Sequence, residues 1–289
     1  MEPVSARVGD RQLRLTNLDK VLYRATGTTK ADMITYVDAV APALLAQLRG
    51  RIVTRKRWPE GTSGEMFFEK NAPKGRPDWV PTARIEHEHR GRERHSLEYV
   101  LVDERATLVW LVQVGALELH TPQWRLDAAG DPLPPDRLVV DLDPGPGTGL
   151  EHCAEVALAA RDMLGEAGLT ASPVLSGSKG LHLYAPVTGL DSEQVVDACQ
   201  LLAEGLAARL PKLVVTRMAK ELRHGRVFVD WSQNVPAKTT VTPYSPRGLD
   251  RPTVAAPVLW SEVEAGGLQQ LTIDEVADRY AELGDPLSA

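Results

Sequence analysis

Between residues 135 and 234 the apolar residues change their spacing again and again, and the resulting order of elements restricts the fold more than any other feature of the chain. PDRLVVDLDPG (135–145) carries a short apolar, β-branched run that ends in a turn, which predicts a buried strand. HCAEVALAARDMLGEAG (152–168) repeats its apolar residues at helical spacing and stops at Gly168, a natural residue just past a helix end. SPVLSGSKGLHLYAPV (172–187) reads as strand, glycine turn, strand. DSEQVVDACQLLAEGLAARL (191–210) is a second long helix, capped by Asp191 or Ser192. KLVVTR and RVFVDWSQN (226–234) are short strands.

Strand–helix–strand–strand–helix–strand–strand predicts a mixed or antiparallel sheet with helices on one face, an α+β lobe of the RNA-recognition kind. Upstream, residues 30–48 read as one helix with Thr29 as N-cap and Asp32 three residues on. RIVTRKRW (51–58) is strand-like, a Pro/Gly-rich segment runs to about Pro81, and the stretches 96–104 and 106–120 continue a β-rich region. Near the C-terminus, TIDEVADRYAEL (272–283) opens with the capping pair Thr272 and Glu275. The reading is a single α+β domain over 1–289 in two lobes, a basic N-terminal α/β lobe of about 1–125 and a second lobe of about 126–289. The cleft between them is the expected site.

Net charge over the 289 residues is −6, which argues at first against a nucleic-acid partner. The distribution reverses that reading. Residues 1–100 hold 18 Lys and Arg against 13 Asp and Glu, a net of +5, so the remaining residues carry −11. Phosphate binding depends on local positive charge, so the whole-chain average excludes nothing. Solvated faces would give the same split. Cys153 and Cys199 each fall in an apolar helical pattern and are expected to be reduced core residues. No CxxC or HExxH occurs, which disfavours a zinc site. No apolar run approaches the roughly 18 residues of a membrane helix, and the charged N-terminus lacks a signal-peptide core. A cytoplasmic, nucleoid-associated protein with no membrane partner is expected.

Three short segments carry candidate chemistry. Asp141 and Asp143 alternate with Leu142, so the two carboxylates share one strand face, about 6–7 Å apart at Cα, while Leu142 points to the core. Side by side at a strand end they repel unless a hard cation, Mg²⁺ or Mn²⁺, lies between them. A solvated Asp-Pro-Gly turn would show the same residues. Asp230 ends another short β-branched run, and three carboxylates from two strands are what two-metal phosphoryl transfer requires. An edge-strand surface aspartate is the plainer reading of Asp230 alone. In SGSKGLHLY (176–184), Gly177 and Gly180 let backbone amides turn toward an anion, Lys179 adds a positive charge, and His182 faces opposite Leu181 and Leu183. GxxxxGK[ST] is absent, so P-loop chemistry is not indicated.

DLDPG (141–145), SGSKGLHLY (176–184) and VFVDWSQN (227–234), in this order, resemble the three motifs of the archaeo-eukaryotic primase superfamily, and most closely the polymerase domains of the bacterial end-joining ligase D family. The likeness extends over LTNLDKVLY (15–23), TTKADMITYV (28–37), RKRWPEG (55–61), FFEK (67–70), ALELHTPQWR (116–125) and KTTVTPYSPRG (238–248), nearly the whole chain. It implies that Asp141, Asp143 and Asp230 bind two catalytic Mn²⁺ or Mg²⁺ ions. It implies that Lys56, His120, Ser176, Lys179, His182, Arg223 and Arg247 contact the incoming nucleotide. Gln233 stands where some relatives place an arginine, which weakens the expected triphosphate contact there. Lys20 and Lys30 would bind the 5′-phosphate of a downstream strand, Lys30 at the start of a helix. Phe67 and Phe68 would stack on template bases. Adjacent strand residues face opposite ways, so one phenylalanine is expected to be buried and one presented. By the same alternation Arg55 and Arg57 lie opposite Lys56, as surface charges.

The resemblance implies template-directed nucleotide addition at 5′-phosphorylated gaps, overhangs and double-strand breaks, with ribonucleotides preferred and Mn²⁺ stimulating. Partners would be DNA, nucleoside triphosphates, an ATP-dependent DNA ligase and the end-binding protein Ku. KxDG, the adenylation signature of such ligases, is absent, so the chain is not expected to seal nicks. Rival readings are a sister primase-polymerase of short-gap excision repair, a non-catalytic DNA-end bridging module, and a metal-dependent phosphoesterase.

Overall fold

The structure is a computed structural model that describes residues 3–87 and 95–288. The first strands are β1 (Val4–Val8), β2 (Arg11–Leu15), β3 (Val21–Tyr23) and β4 (Thr28–Thr29), paired β1 with β2 and β3 with β4. Thr29 caps the next helix as expected, exchanging hydrogen bonds with Asp32 in a capping box. The single helix expected over 30–48 is two: α1 (Lys30–Ala39) and α2 (Ala41–Leu48). Val40 leaves helical geometry between them, and Pro42 in the first turn of α2 forbids a continuous hydrogen-bond ladder.

Then come β5 (Thr54–Arg57), β6 (Phe67–Glu69), β7 (Thr82–His87) and β8 (His95–Val100). The apolar stretch after residue 105 is not strand throughout. Arg105–Gln113 forms α3, and only Ala116–Thr121 forms a strand, β9. Gly115 divides them with φ +80, a conformation that ends the helix and lets its carbonyl accept from Trp58 N–H at 2.8 Å. The run is apolar on all sides because α3 is buried from Ala106 to Val112.

The second lobe follows the expected order: β10 (Trp124–Leu126), β11 (Pro132–Pro135), β12 (Arg137–Pro144), α4 (Leu150–Glu166), β13 (Ser172–Leu175), β14 (Leu181–Pro186), α5 (Ser192–Arg209), β15 (Val214–Val215) and β16 (Val227–Val229). Its sheet runs β13-β14-β12-β16-β15, antiparallel except for the parallel β15–β16 edge, so it is mixed as expected. Both helices lie on one face. Cys153 of α4 donates to the Leu142 carbonyl and Cys199 of α5 to that of Val139, each at 3.5 Å. Both cysteines are free and buried. Leu138, Val140 and Leu142 of β12 join this core, which leaves Asp141 and Asp143 on the opposite face.

The lobes are not consecutive in sequence. β17 (Thr240–Val241) pairs with β9 at Thr240–Thr121 and Val241–His120, completing the first lobe's sheet in the order β17-β9-β5-β6. After α6 (Trp260–Ala265), α7 (Ile273–Leu283) packs against α1, and its Thr272–Glu275 capping box is formed. The 244–248 segment is pinned to the first lobe as well: Tyr36 donates to the Tyr244 carbonyl at 2.8 Å and Tyr23 to that of Arg247 at 2.9 Å. Among the described residues no helix is long and apolar enough to cross a membrane.

Candidate nucleotide and metal site

The open face of the β12 sheet and the β9 sheet border one cavity of about 220 Å³, lined by His120, Asp141, Asp143, Ser176, His182 and Arg247 among others. A larger groove of about 430 Å³ lies elsewhere, between the β7 strand and the Pro132–Pro134 segment. It is lined mostly by apolar side chains, and the chemistry is not there.

One wall is acidic. Asp141 and His182 are register partners on β12 and β14, and His182 Nε2 lies 3.3 Å from Asp141 Oδ1. Both are buried, and His182 Nδ1 has no hydrogen-bond partner. Asp143, two residues on, reaches solvent at its tip. Desolvation, then the charges of Asp141 and Asp230, lift its pKa to about 6, against the counter-pull of His182 and Arg223. Asp230 follows β16, and its N–H donates to the Asp141 carbonyl at 2.9 Å, which ties the third aspartate to the first. Its carboxylate is occupied. Oδ1 accepts from Ser232, and Oδ2 accepts from Gln233 Nε2 at 3.0 Å and lies 3.8 Å from Lys238 Nζ. Gln233 thus braces an aspartate in this state.

These donors fit a hard cation in part. Asp141 and Asp143 present two like-charged oxygen donors whose repulsion a divalent ion would relieve. Among the described residues, however, no group of three His, Cys, Asp or Glu side chains converges closely enough to hold one. Asp230 directs its oxygens at Ser232, Gln233 and Lys238.

The SGSKG turn departs from the anion cradle that its glycines suggested. Ser178 and Gly180 N–H both donate to Ser176 Oγ, and Gly177 N–H donates to Gln270. Those three amides are satisfied internally, so anion contact falls to side chains. Lys179 is exposed at the tip. Arg223 lies with its guanidinium 3.7 Å from the Phe228 ring centroid and donates to the Met218 carbonyl. It adjoins the Asp-Pro-Gly turn, since a Cβ on Gly145 would sit 1.8 Å from the Arg223 carbonyl oxygen.

The other wall is basic. Lys56 on β5 and Glu118 on β9 are register partners, with Lys56 Nζ 2.9 Å from Glu118 Oε2. His120 Nε2 meets the same oxygen at 2.8 Å, and Arg247 Nε lies 3.4 Å from Oε1. Arg247 also donates to the Ser176 carbonyl, joining this wall to the glycine turn. Sequence reasoning missed Glu118. Its alternation with His120 along one strand face was the available sign.

Outside the cavity two expectations change. Phe67 and Phe68 are both exposed, at 42% and 54%, on the edge strand β6, rather than one buried and one presented. Arg55 is fully buried rather than a surface charge, paired with Glu69 at 3.2 Å and with the Asn71 carbonyl, and Arg57 shares Glu69 at 2.7 Å. Lys30 is also buried. Its ammonium donates to the carbonyls of Thr16 and Gln113 at 3.1 and 3.2 Å, and desolvation, then nearby Lys20, lowers its pKa. Lys20 is half-buried and pairs with Glu60 at 2.8 Å.

Comparison with known proteins shows the family. Residues 29–287 match the family model described as LigD, primase-polymerase domain. The chain belongs to that family. It is 47% identical over 287 residues to the multifunctional non-homologous end joining DNA repair protein LigD of Mycobacterium tuberculosis H37Rv, covering 96% of this chain and 37% of that protein. It is 34% identical to the bifunctional non-homologous end joining protein LigD of Bacillus subtilis 168, covering 95% of this chain and 43% of that one. The chain therefore spans well under half the length of these LigD relatives. Among solved structures, the polymerase domain from M. tuberculosis ligase D in complex with DNA superposes with a TM-score of 0.91 at 46% identity over 96% of each chain.

Proposed function

We propose that this LigD primase-polymerase chain is a template-dependent nucleotidyltransferase that fills gaps and extends ends during bacterial non-homologous end joining. The observation that carries the reading is the pairing of opposite walls on one cavity: Asp141, Asp143 and His182 on one side, His120 and Arg247, backed by Lys56, on the other. A nucleoside triphosphate needs cationic donors along its phosphates and acidic groups near its α-phosphorus.

In this reading Lys56, His120 and Arg247 take the triphosphate, and His182 orients a phosphate oxygen while holding Asp141. Lys179 and Arg223 reach the phosphates from the glycine turn and from beside the Asp-Pro-Gly turn. Asp141 and Asp143 hold divalent ions, Mn²⁺ or Mg²⁺. Asp230 joins them once its carboxylate rotates away from Ser232, Gln233 and Lys238. Two bound ions would supply the charge that lowers the pKa of the attacking 3′-hydroxyl and steadies the leaving pyrophosphate. Lys20 and Lys30 lie at the start of the chain's basic third and form the seat of a downstream 5′-phosphate. Lys20 gives up Glu60 to bind it, and Lys30 shapes the seat from below. Phe67 and Phe68 stack on template bases, each contributing about 1–3 kcal/mol. Family membership extends the reading to ribonucleotide preference, Mn²⁺ stimulation, cooperation with an ATP-dependent ligase and Ku, and a place beside chromosomal DNA in the cytoplasm.

The test is extension of a 5′-phosphorylated gapped duplex with Mn²⁺ and labelled ribonucleotides, beside the Asp141→Ala, Asp143→Ala double variant. Wild type should lengthen the primer, and the variant should lose at least about 10³-fold in rate. A shortened primer would mark a nuclease. Equal DNA binding without chemistry in either protein would mark an end-bridging module.

A further inference from the structure

We infer that Glu118 is the positioning residue of the nucleotide pocket, holding Lys56, His120 and Arg247 in the register a triphosphate needs. The inference rests on the functional reading above and names a residue that reading does not use.

Glu118 sits mid-strand in β9 and is 2% exposed. A buried carboxylate is costly unless it is paired and fully hydrogen-bonded. Here both oxygens are engaged. Oε1 accepts from Gly248 N–H at 2.9 Å and faces Arg247 Nε at 3.4 Å. Oε2 takes His120 Nε2 at 2.8 Å and Lys56 Nζ at 2.9 Å. Burial pushes the carboxyl pKa up. The His120 hydrogen bond and the charges of Arg247, His120 and Lys56 outweigh it and hold the group well below the usual carboxylate range.

An ordinary core ion pair needs one partner. This carboxylate gathers side chains from β5, β9 and the segment after β17, all three of them assigned to the same ligand. Basic groups crowded at one cavity repel and would otherwise swing to solvent. Glu118 offsets that repulsion from behind. His120 and Arg247 line the cavity, whereas Glu118 is not among its lining residues. Lys56 has three ammonium donors and spends one on Glu118.

Only glutamate meets this geometry. In glutamine one oxygen becomes NH₂, so whichever way the amide turns, it faces a fixed donor, the Gly248 N–H or the Lys56 ammonium. Aspartate keeps both acceptors but retracts them by about 1.5 Å, one C–C bond. A competing effect runs the other way: removing a negative charge near a polyanion site favours the polyanion. Glu118's place behind its partners makes positioning the larger of the two.

The experiment measures labelled ATP and AMP binding, and steady-state gap filling, for the full chain and Glu118→Gln. The expected result is a rise of about 10- to 30-fold in KM for the triphosphate, exceeding any fall in kcat, with AMP binding changed much less. In a Lys56→Ala, Arg247→Ala background the same substitution should add less than about twofold, because its effect runs through those side chains. Should Glu118→Gln not fold, Glu118→Asp must show the same split between KM and kcat. An unchanged or lowered KM, equal losses for ATP and AMP, or a full effect persisting in the double background would each overturn the inference. A wild-type chain that binds no ATP overturns the pocket reading and the inference together. A wild-type chain that binds ATP, with Glu118→Gln indistinguishable from it, overturns the inference alone.

Discussion

The two walls of the cavity treat charge in opposite ways. On the β9 wall every basic group has an anionic partner, and the one buried carboxylate meets Lys56, His120 and Arg247 as well as the Gly248 N–H. On the β12 wall two aspartates stand side by side with one imidazole against Asp141, and Asp143 is left with a raised pKa of about 6. The basic wall thus pairs its charges within the chain, while the acidic wall leaves two neighbouring carboxylates to repel. A repelling half keeps its affinity in reserve, and a paired half keeps its shape.

The contrast can be broken most directly by a divalent cation. Mn²⁺ at 100 times its dissociation constant should stabilise the wild type by about 2.7 kcal/mol, read as a raised Tm, and leave the Asp141→Ala, Asp143→Ala variant unmoved. Equal shifts in both would place the ion elsewhere. The basic wall should answer to loss of a partner instead: Lys56→Met should cost about 2 kcal/mol in urea unfolding, with no metal dependence, because Glu118 loses a donor it cannot replace with water.

A smaller effect of opposite sign is expected at Asp143. Its raised pKa means that the folded chain holds this proton more tightly than the unfolded one. The stability from that proton is fully present below about pH 4 and lost as pH rises through about 6. Asp143→Asn should therefore stabilise the metal-free protein at pH 7.5 by about 1 kcal/mol, a value kept low because the carboxyl tip is solvated, and by nothing near pH 4. Thermal melts in chelator at the two pH values check this, and a destabilised variant at pH 7.5 would remove the strain from the acidic wall. Least of all, Lys20→Ala should weaken binding to 5′-phosphorylated ends a few-fold while leaving 5′-hydroxyl ends unchanged, by fluorescence anisotropy. Equal loss on both would reduce Lys20 to a generic phosphate contact.

The acidic wall was legible in the sequence because its logic is local. A period of two places Asp141 and Asp143 on one face and His182 opposite its leucines, and strand pairing then brings Asp141 and His182 together. On the basic wall the family likeness named Lys56, His120 and Arg247, but the centre that joins them was not legible, because it is nonlocal: Glu118 finds Gly248 130 residues away. No periodicity reports such a contact. Parity failed at Phe67 and Phe68 since it presumes one covered face, whereas both side chains here are exposed. The helix at 105–113 was read as strand because total burial erases the amphipathic stripe. Lys30 was legible as a cation at a helix start, but its two carbonyl acceptors come from loop ends that no motif contains.

The chain's return into its own first sheet through β17 has a mechanical consequence. A cleft bounded by two consecutive lobes can hinge at one linker. Here the backbone crosses the boundary and comes back, and Tyr23 and Tyr36 rivet the returning segment. The two walls of the cavity are therefore tied by more than one stretch of backbone, and any relative displacement of them has to break the β17–β9 pairing or the Tyr23 and Tyr36 hydrogen bonds.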